Sequence, residues 1–221
     1  MKDFVSFNYE KIVVFLIFIQ CGTGGVEYKE LAIIETSSTN LSTTTTTITT
    51  TDGNLPKGET SIEGNFLPEF AGENDDNIAR GLQAPIFSGP NEDSEIVSLE
   101  NNGNAKVLLF LAHWCGYCRI EIPAVQEYIL LNGIPEGVEI IAIVTSIDKA
   151  RDNYPPHDWL KDEGWSEAQI YDFDREIATA YGLNAFPYWV FLDKELNVVA
   201  RRTGSLPLDQ VGQLLVALAN Q

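Results

Sequence analysis

The chain has 221 residues, which is enough for one domain and part of a second at about 150 residues per domain. Its 32 acidic and 14 basic residues give a net charge of −18. That charge argues against a nucleic-acid-binding protein and against attachment to anionic lipids through basic residues. Three cysteines are too few for a disulfide-stapled domain.

The first 21 residues are predicted to be a targeting segment. Residues 12–19 are eight consecutive apolar residues, the length of the apolar part of a signal peptide and too short to span a bilayer. Cys21 follows, which resembles a bacterial lipoprotein signal, where the cysteine becomes the lipidated first residue; Gln20 stands where that family prefers a small residue. We expect an extracytoplasmic, lipid-anchored protein facing the periplasm or cell exterior. A cleaved signal peptide and an uncleaved anchor are the alternatives.

Residues 22–79 are predicted to form a disordered linker. Thirteen of the sixteen residues 36–51 are Ser or Thr, and such a segment buries too little apolar surface to offset the entropy cost of ordering it. Ten acidic and two basic residues give residues 22–79 a net charge of −8. The segment is interpreted as a spacer, with an O-glycosylated stalk as the alternative.

A folded domain is predicted over residues 80–221. Apolar runs predict strands, and apolar residues recurring every three or four positions predict helices. The predicted strands are 96–99, 106–112, 138–145, 188–192 and 198–202, and the predicted helices are 115–131, 158–163, 175–181 and 206–219. Strand–helix alternation followed by a hairpin and a closing helix indicates an α/β sandwich with a mixed sheet.

The candidate chemistry lies at Cys115 and Cys118, where a predicted buried strand runs into Cys-x-x-Cys at a helix start. A helix N-terminus carries about +0.5 elementary charge and unsatisfied N–H groups, and both stabilise a thiolate on the first cysteine. A thiolate attacks disulfides, and the second cysteine, one turn on, can resolve the mixed disulfide. The spacing therefore predicts thiol–disulfide exchange.

This pattern resembles the thioredoxin superfamily, and within it the TlpA/ResA-like extracytoplasmic thiol–disulfide oxidoreductases. The resemblance covers about residues 84–221. It is carried by Ala84-Pro85-x-Phe87, Trp114-Cys115-x-x-Cys118, Pro123, Tyr181-Gly182-Leu183, Phe186-Pro187 and Gly204. It implies a thioredoxin fold, with three α/β/α layers around a mixed central sheet and an N-terminal β-hairpin extension.

The resemblance also implies roles for the residues around the cysteine pair. Cys115 is the attacking thiolate and Cys118 the resolving cysteine. Glu121 completes the Cys-x-x-Glu-x-Pro pattern of the TlpA/ResA group and would be a buried acid that tunes or relays the cysteine proton. A carboxylate on an exposed helix face is the alternative for Glu121.

Substrate contacts are implied for three more residues. Pro187 is expected to be cis and to hold the backbone of a bound substrate. Trp114 and Phe186 are expected to form an apolar rim for extended peptide substrates, unless both serve only in packing.

The implied activity is dithiol–disulfide exchange with protein substrates outside the cytoplasm, as a reductase supplied by an upstream electron donor. No metal or organic cofactor is expected, because the Cys115–Cys118 pair is itself the redox centre, and the chain is expected to be a monomer. One alternative is a membrane-tethered thioredoxin-fold interaction protein whose redox pair is regulatory. Another is a thiol peroxidase, although residues 108–115 lack the Pro-x-x-x-Thr-x-x-Cys pattern. A zinc site is disfavoured because the chain has no second cysteine pair.

His113 and residues 153–160 each allow two interpretations. His113, as a cation, could favour the Cys115 thiolate, or it could be a surface residue at the mouth of a loop. Residues 153–160 are aromatic and proline-rich. They line a substrate groove or form a packed connector, in which Pro156 begins a helix and Trp159 lies in the core.

Overall fold

A computed structural model describes residues 55–72 and 78–221, together with the backbone of three short strands nearer the N-terminus. The chain divides into two units, residues 1–39 and 40–221. The first contains an antiparallel pair, β1 (Asn8–Tyr9) and β2 (Ile12–Val13). The predicted lipidation site Cys21 and most of the targeting segment lie outside the described residues. Within the part that is described, no helix is both long and apolar enough to cross a bilayer.

The second unit is built on a five-stranded sheet with the strand order β11-β10-β7-β8-β9. Its strands are β7 (Ala105–Leu111), β8 (Val138–Thr145), β9 (Ala168–Asp172), β10 (Tyr188–Leu192) and β11 (Val198–Thr203). Strands β7, β8 and β9 are parallel, whereas β10 is antiparallel to both β7 and β11. All seven residues of β7 are buried, as the continuous apolar run predicts for a central strand.

In the described part of the chain, four helices accompany this sheet. They are α1 (Gly116–Asn132), α2 (Pro156–Asp162), α3 (Glu176–Ala180) and α4 (Leu208–Ala219). Successive β7 side chains point to opposite faces: Leu109 packs with α1, α2 and α4, whereas Leu108 and Phe110 pack with α3 and a second sheet. Pro123 lies inside α1, which continues past it without a break. The predicted thioredoxin fold with a mixed central sheet is confirmed.

The second sheet is antiparallel and has the order β3-β4-β5-β6. Its strands are β3 (Thr44–Thr46), β4 (Thr60–Glu63), β5 (Ile86–Pro90) and β6 (Ile96–Ser98). The β5–β6 pair is the predicted N-terminal hairpin, and β4 adds a strand to it through the pairing of Ile62 with Phe87. The extension is therefore larger than a hairpin.

The predicted linker boundary is wrong for residues 60–72, which belong to the folded domain. Ile62, Leu67 and Phe70 are the apolar residues that bury this segment, with exposed fractions of 1%, 5% and 2%. They stand five and three residues apart among polar neighbours, so neither a helical nor an alternating period marks them. Their burial depends on partners far along the chain.

Residues 67–70, which we call the strap, lie against the segment of the chain that connects α3 to β10. The Leu67 N–H donates to the Ala180 carbonyl at 2.8 Å, and the Phe70 N–H donates to the Gly182 carbonyl at 2.9 Å. Gly182 has a φ of +70°, and a Cβ there would lie 2.3 Å from the Pro68 carbonyl oxygen, so only glycine allows this approach. The strap therefore braces the segment that leads into β10.

Candidate functional site

The two cysteines lie where β7 ends and α1 begins. Cys115 is the N-cap of α1 and has an extended backbone, with φ −74° and ψ 121°. Its Sγ accepts a hydrogen bond from the Cys118 N–H at 3.5 Å, and both cysteines are free thiols. Cys115 retains 8% exposure, whereas Cys118 has none. Of the two cysteines, only Cys115 retains contact with solvent.

Burial sets the acid–base behaviour of the inner thiol. Loss of solvation raises the pKa of Cys118 strongly, and the Cys115 side chain and the charge of Glu121 raise it further. A hydrogen bond with the Ala112 backbone opposes this shift. The buried surroundings of Cys118 therefore favour its neutral thiol over the thiolate.

Glu121 lies on α1, one turn after Cys118, and its side chain is only 3% exposed. Its Oε1 accepts a hydrogen bond from the Leu206 N–H at 2.9 Å, and Ser205 provides a second hydrogen bond. Burial raises the pKa of this carboxyl, although both hydrogen bonds favour the carboxylate and oppose that shift. The alternative of an exposed carboxylate is therefore wrong. The sequence did not indicate the contribution of Ser205 and Leu206.

Pro187 is brought beside the cysteine pair by the register of the sheet. Tyr188 pairs with Phe110, so Pro187 lies next to the end of β7, from which the chain enters α1. The Phe186–Pro187 peptide bond is cis, as predicted. The Pro187 carbonyl accepts a hydrogen bond from the Gly204 N–H at 2.8 Å, which ties this turn to the end of β11.

Trp114 and Phe186 meet edge to face, with ring centroids 6.0 Å apart. Both rings are partly buried against the core, so they pack and also reach the surface. The Trp114 indole N–H donates to the Ser146 carbonyl at 2.8 Å, which fixes the orientation of its ring. The two predicted rim residues therefore lie together on the edge of the cysteine site.

His113 is fully buried, so the prediction of a surface residue at the mouth of a loop is wrong. Its Nε2 accepts a hydrogen bond from the Asp148 N–H at 3.1 Å, and its Nδ1 lies 2.6 Å from the Asp152 carbonyl oxygen. Because a backbone N–H can only donate, Nε2 has no proton and Nδ1 carries it. Burial also lowers the pKa of His113, which favours this neutral form over the cation.

These contacts organise residues 146–153, which follow β8 and which we call the 146–153 loop. Asp148 and Asp152 bond to the His113 ring, and Ser146 bonds to Trp114. In addition, the Asn153 side-chain amide donates to the His113 backbone carbonyl at 2.8 Å. The loop is thus attached to the two residues that precede Cys115. No sequence motif indicated it, because its partners are 32 to 40 residues away along the chain.

The proline-rich segment 153–160 is mainly a packed connector. Pro156 begins α2, and Trp159 and Leu160 are buried in the core, with exposed fractions of 6% and 0%. Tyr154 lies with its ring 6.0 Å from that of His113. Within the described ranges, no group of three or more His, Cys, Asp or Glu side chains is arranged to hold a metal ion.

Comparisons with known proteins agree with this geometry. The model of the AhpC/TSA family matches residues 81–201, which is more than half of the chain. No protein with a curated description matches the sequence.

Solved structures similar in fold include a thioredoxin-family thiol:disulfide interchange protein from Chlorobium tepidum, with 22% identity and a TM-score of 0.54, covering 64% of this chain and 98% of that one. A DsbF homologue from Corynebacterium diphtheriae has 20% identity and a TM-score of 0.54, and the match covers 70% of this chain and 100% of the homologue. A secreted disulfide oxidoreductase from Mycobacterium tuberculosis has 19% identity and a TM-score of 0.50, and the match covers 59% of this chain and 95% of that protein. By its sequence the chain belongs to the AhpC/TSA family, and its fold is that of the thioredoxin superfamily.

Proposed function

We propose that this protein is a thiol–disulfide oxidoreductase that reduces disulfides in protein substrates outside the cytoplasm. The observation that carries the proposal is the asymmetry of the cysteine pair. Cys115 caps a helix and keeps 8% exposure, whereas Cys118, one turn along, is fully buried with its N–H directed at the first sulfur. The same helix N-terminus favours negative charge on Cys115, which is what a nucleophilic thiol requires.

The reaction proceeds in two exchanges. The Cys115 thiolate attacks one sulfur of the substrate disulfide, so a mixed disulfide forms and the other substrate sulfur leaves as a thiolate. Cys118 then loses its proton and attacks the Cys115 sulfur, so the internal disulfide forms and the second substrate sulfur leaves. Each released thiolate takes up one proton. Two electrons thus pass from the cysteine pair to the substrate; one proton comes from Cys118 and the other from solvent, which took up the Cys115 proton when the thiolate formed. An upstream dithiol restores the pair.

Glu121 is proposed to handle the proton of Cys118. Burial raises the pKa of both groups, and the negative charge of Glu121, one helical turn away, further disfavours the Cys118 thiolate. A carboxylate whose pKa is raised is a stronger base than an ordinary one, so it can accept the thiol proton and afterwards pass that proton on. Pro187 and the Trp114–Phe186 rim are proposed to hold an extended substrate segment beside Cys115. No metal or organic cofactor takes part in this scheme.

The proposed location outside the cytoplasm rests on the apolar run of residues 12–19 followed by Cys21, which fits a lipid-anchored exported protein. The similar fold from Mycobacterium tuberculosis is described as secreted, which supports the same location. The proposed direction is tested by the reduction potential of the Cys115–Cys118 pair. A value near −270 mV fits a reductase, and one near −120 mV fits an oxidase.

The activity is tested by the reduction of insulin disulfides with dithiothreitol as the electron donor. We expect the wild type to accelerate the reaction and the Cys115→Ser variant to lose that acceleration. Hydrogen peroxide consumption with the same donor is measured in parallel. Faster consumption of peroxide than of insulin disulfide would favour the thiol peroxidase, and no acceleration of either would favour the interaction protein with a regulatory redox pair.

A further inference from the structure

The surface around Cys115 differs in charge from the rest of the protein. The described residues 55–72 and 78–221 contain 23 acidic and 11 basic residues, a net charge of −12. We define the active face as residues 113–120, 146–153, 182–187 and 203–206, the surface segments linked to the cysteine pair by the contacts above; Glu121, which is buried beneath them, is not counted. The active face contains three basic and two acidic residues, a net charge of +1, which leaves −13 on the remaining described residues.

Arg151 places one of these positive charges directly beside the redox centre. Its guanidinium carbon lies 5.0 Å from the centroid of the Trp114 ring, within the range of a cation–π contact. Trp114 is itself oriented by its bond to Ser146 and by Phe186. Arg151 is therefore held over the residue that immediately precedes the nucleophile.

Arg119, on α1, supplies a second positive charge near the 146–153 loop, where its guanidinium lies 3.9 Å from the Asp152 carboxylate. Its backbone N–H donates to the Cys115 carbonyl at 3.1 Å, so its position one turn into α1 is fixed. Arg119 and Arg151 lie 3.9 and 3.6 Å from carboxylate oxygens of Asp152 and Asp148, and all four side chains are about half or more exposed. Such exposed pairs are weak, about 0.2–1 kcal/mol, so both guanidinium groups stay available to an incoming carboxylate.

Apolar side chains complete the active face. Tyr117 and Ile120 lie three residues apart on α1 and are 67% and 66% exposed. Residues three apart lie on the same side of a helix, so these two form one exposed apolar patch in the first turns after Cys115. The active face thus offers apolar contact together with two positive charges.

We propose that the preferred substrate carries its disulfide in an acidic segment, whose carboxylates pair with Arg151 and Arg119 while apolar neighbours rest on Tyr117 and Ile120. This inference rests on the proposed function and names its substrate class. A basic segment would meet like charges at the active face, and such contacts select between partners. At physiological ionic strength the Debye length is about 8 Å, so a bound peptide responds to the active face more than to the acidic remainder of the protein.

The test uses two synthetic peptides that share one disulfide and differ only at two flanking positions, with Glu in one and Lys in the other. At 0.15 M salt we expect the kcat/KM of the wild type to be about two- to five-fold higher for the Glu peptide, the effect of an exposed ion pair. This preference should shrink at about 1 M salt, where the Debye length falls to about 3 Å. Arg151→Gln should reduce the preference, and Arg151→Lys should keep part of it, since the charge remains.

Arg80→Gln is the matched control, because it removes the same charge far from the active face. Arg80 is exposed, and the N–H of the next residue, Gly81, bonds to the Val198 carbonyl at the start of β11. The active face begins at the opposite end of that strand, at Thr203. The Arg80→Gln variant should keep the full preference. Equal kcat/KM values for the two peptides, a preference for Lys, or a preference unchanged in both Arg151→Gln and Arg119→Gln would overturn the inference. If the wild type reduced neither peptide, the proposed function would fail, and the inference with it.

Discussion

Replacing Phe70 with alanine is expected to destabilise the protein by about 3–5 kcal/mol, the usual cost of removing a buried phenylalanine side chain. Phe70 is 2% exposed, and its ring lies 5.7 Å from that of Tyr188 and 5.4 Å from the guanidinium carbon of Arg201. Arg201 is also fully buried, and its guanidinium donates to the Pro68 carbonyl at 2.7 Å. The alanine variant thus leaves a cavity beside a buried charge, which places the effect in the upper part of that range.

The assay is urea unfolding of the full chain, followed by tryptophan fluorescence. All four tryptophans lie between residues 114 and 189, so the signal reports on the thioredoxin-type domain. With a urea m-value of about 2 kcal/mol/M, the midpoint should fall by about 2–2.5 M.

Phe66→Ala is the matched control, because it removes the same side chain from the residue just before the strap. Phe66 is 47% exposed, so its replacement should cost less than about 1 kcal/mol. If Phe70→Ala unfolded at the same urea concentration as Phe66→Ala, the strap would not be part of the folded domain. The prediction that the folded domain begins at residue 80 would then be correct.

Two further predictions concern proton-binding groups near the cysteines. Because the charge of Glu121 raises the pKa of Cys118, Glu121→Gln should lower that pKa, and the Cys118 thiol in a Cys115→Ser background should lose its proton at lower pH. The titration is followed by the ¹³Cβ chemical shift of Cys118, because no reagent then has to reach the buried thiol; an unchanged titration would contradict the proton role. Burial lowers the pKa of His113, so its contribution to stability is fully present above the unfolded value of about 6.5 and is lost as pH falls below it. Between pH 7 and pH 5, the free energy of unfolding measured in urea should therefore fall more in the wild type than in His113→Gln. The glutamine amide can still accept one hydrogen bond and donate one, but it does not titrate. Equal decreases in the two proteins would refute this.

The redox centre could be predicted from sequence because its signals are local. Cys115, Cys118 and Glu121 lie within seven residues, and the helix that orders them begins at the same place. The buried strand β7 before them was marked by a continuous apolar run. Pro187 depended on the family resemblance, since nothing in its immediate neighbourhood indicates that it approaches the cysteines.

The strap and the 146–153 loop were missed because long-range contacts hold them. Arg201 and Pro68 are 133 residues apart in the chain, and Asn184 reaches the Phe70 carbonyl across 114. Strand β9 was also missed, since its sequence AQIYD mixes polar and apolar residues and its buried residues include Gln169 and Asp172. Periodicity reports the local environment of a segment, so it carried no information about these partners.

The central claim is that Cys115 attacks and Cys118 resolves, and trapping of the mixed disulfide tests it most directly. Cys115→Ser and Cys118→Ser variants of the full chain are incubated with a disulfide-bonded protein substrate, and covalent adducts are identified by mass spectrometry after non-reducing electrophoresis. The account predicts that Cys118→Ser accumulates an adduct through Cys115, because the resolving step is lost. It also predicts that Cys115→Ser forms little or none, because the remaining thiol is fully buried. Adducts through Cys118 in Cys115→Ser, with none through Cys115 in Cys118→Ser, would contradict the assignment.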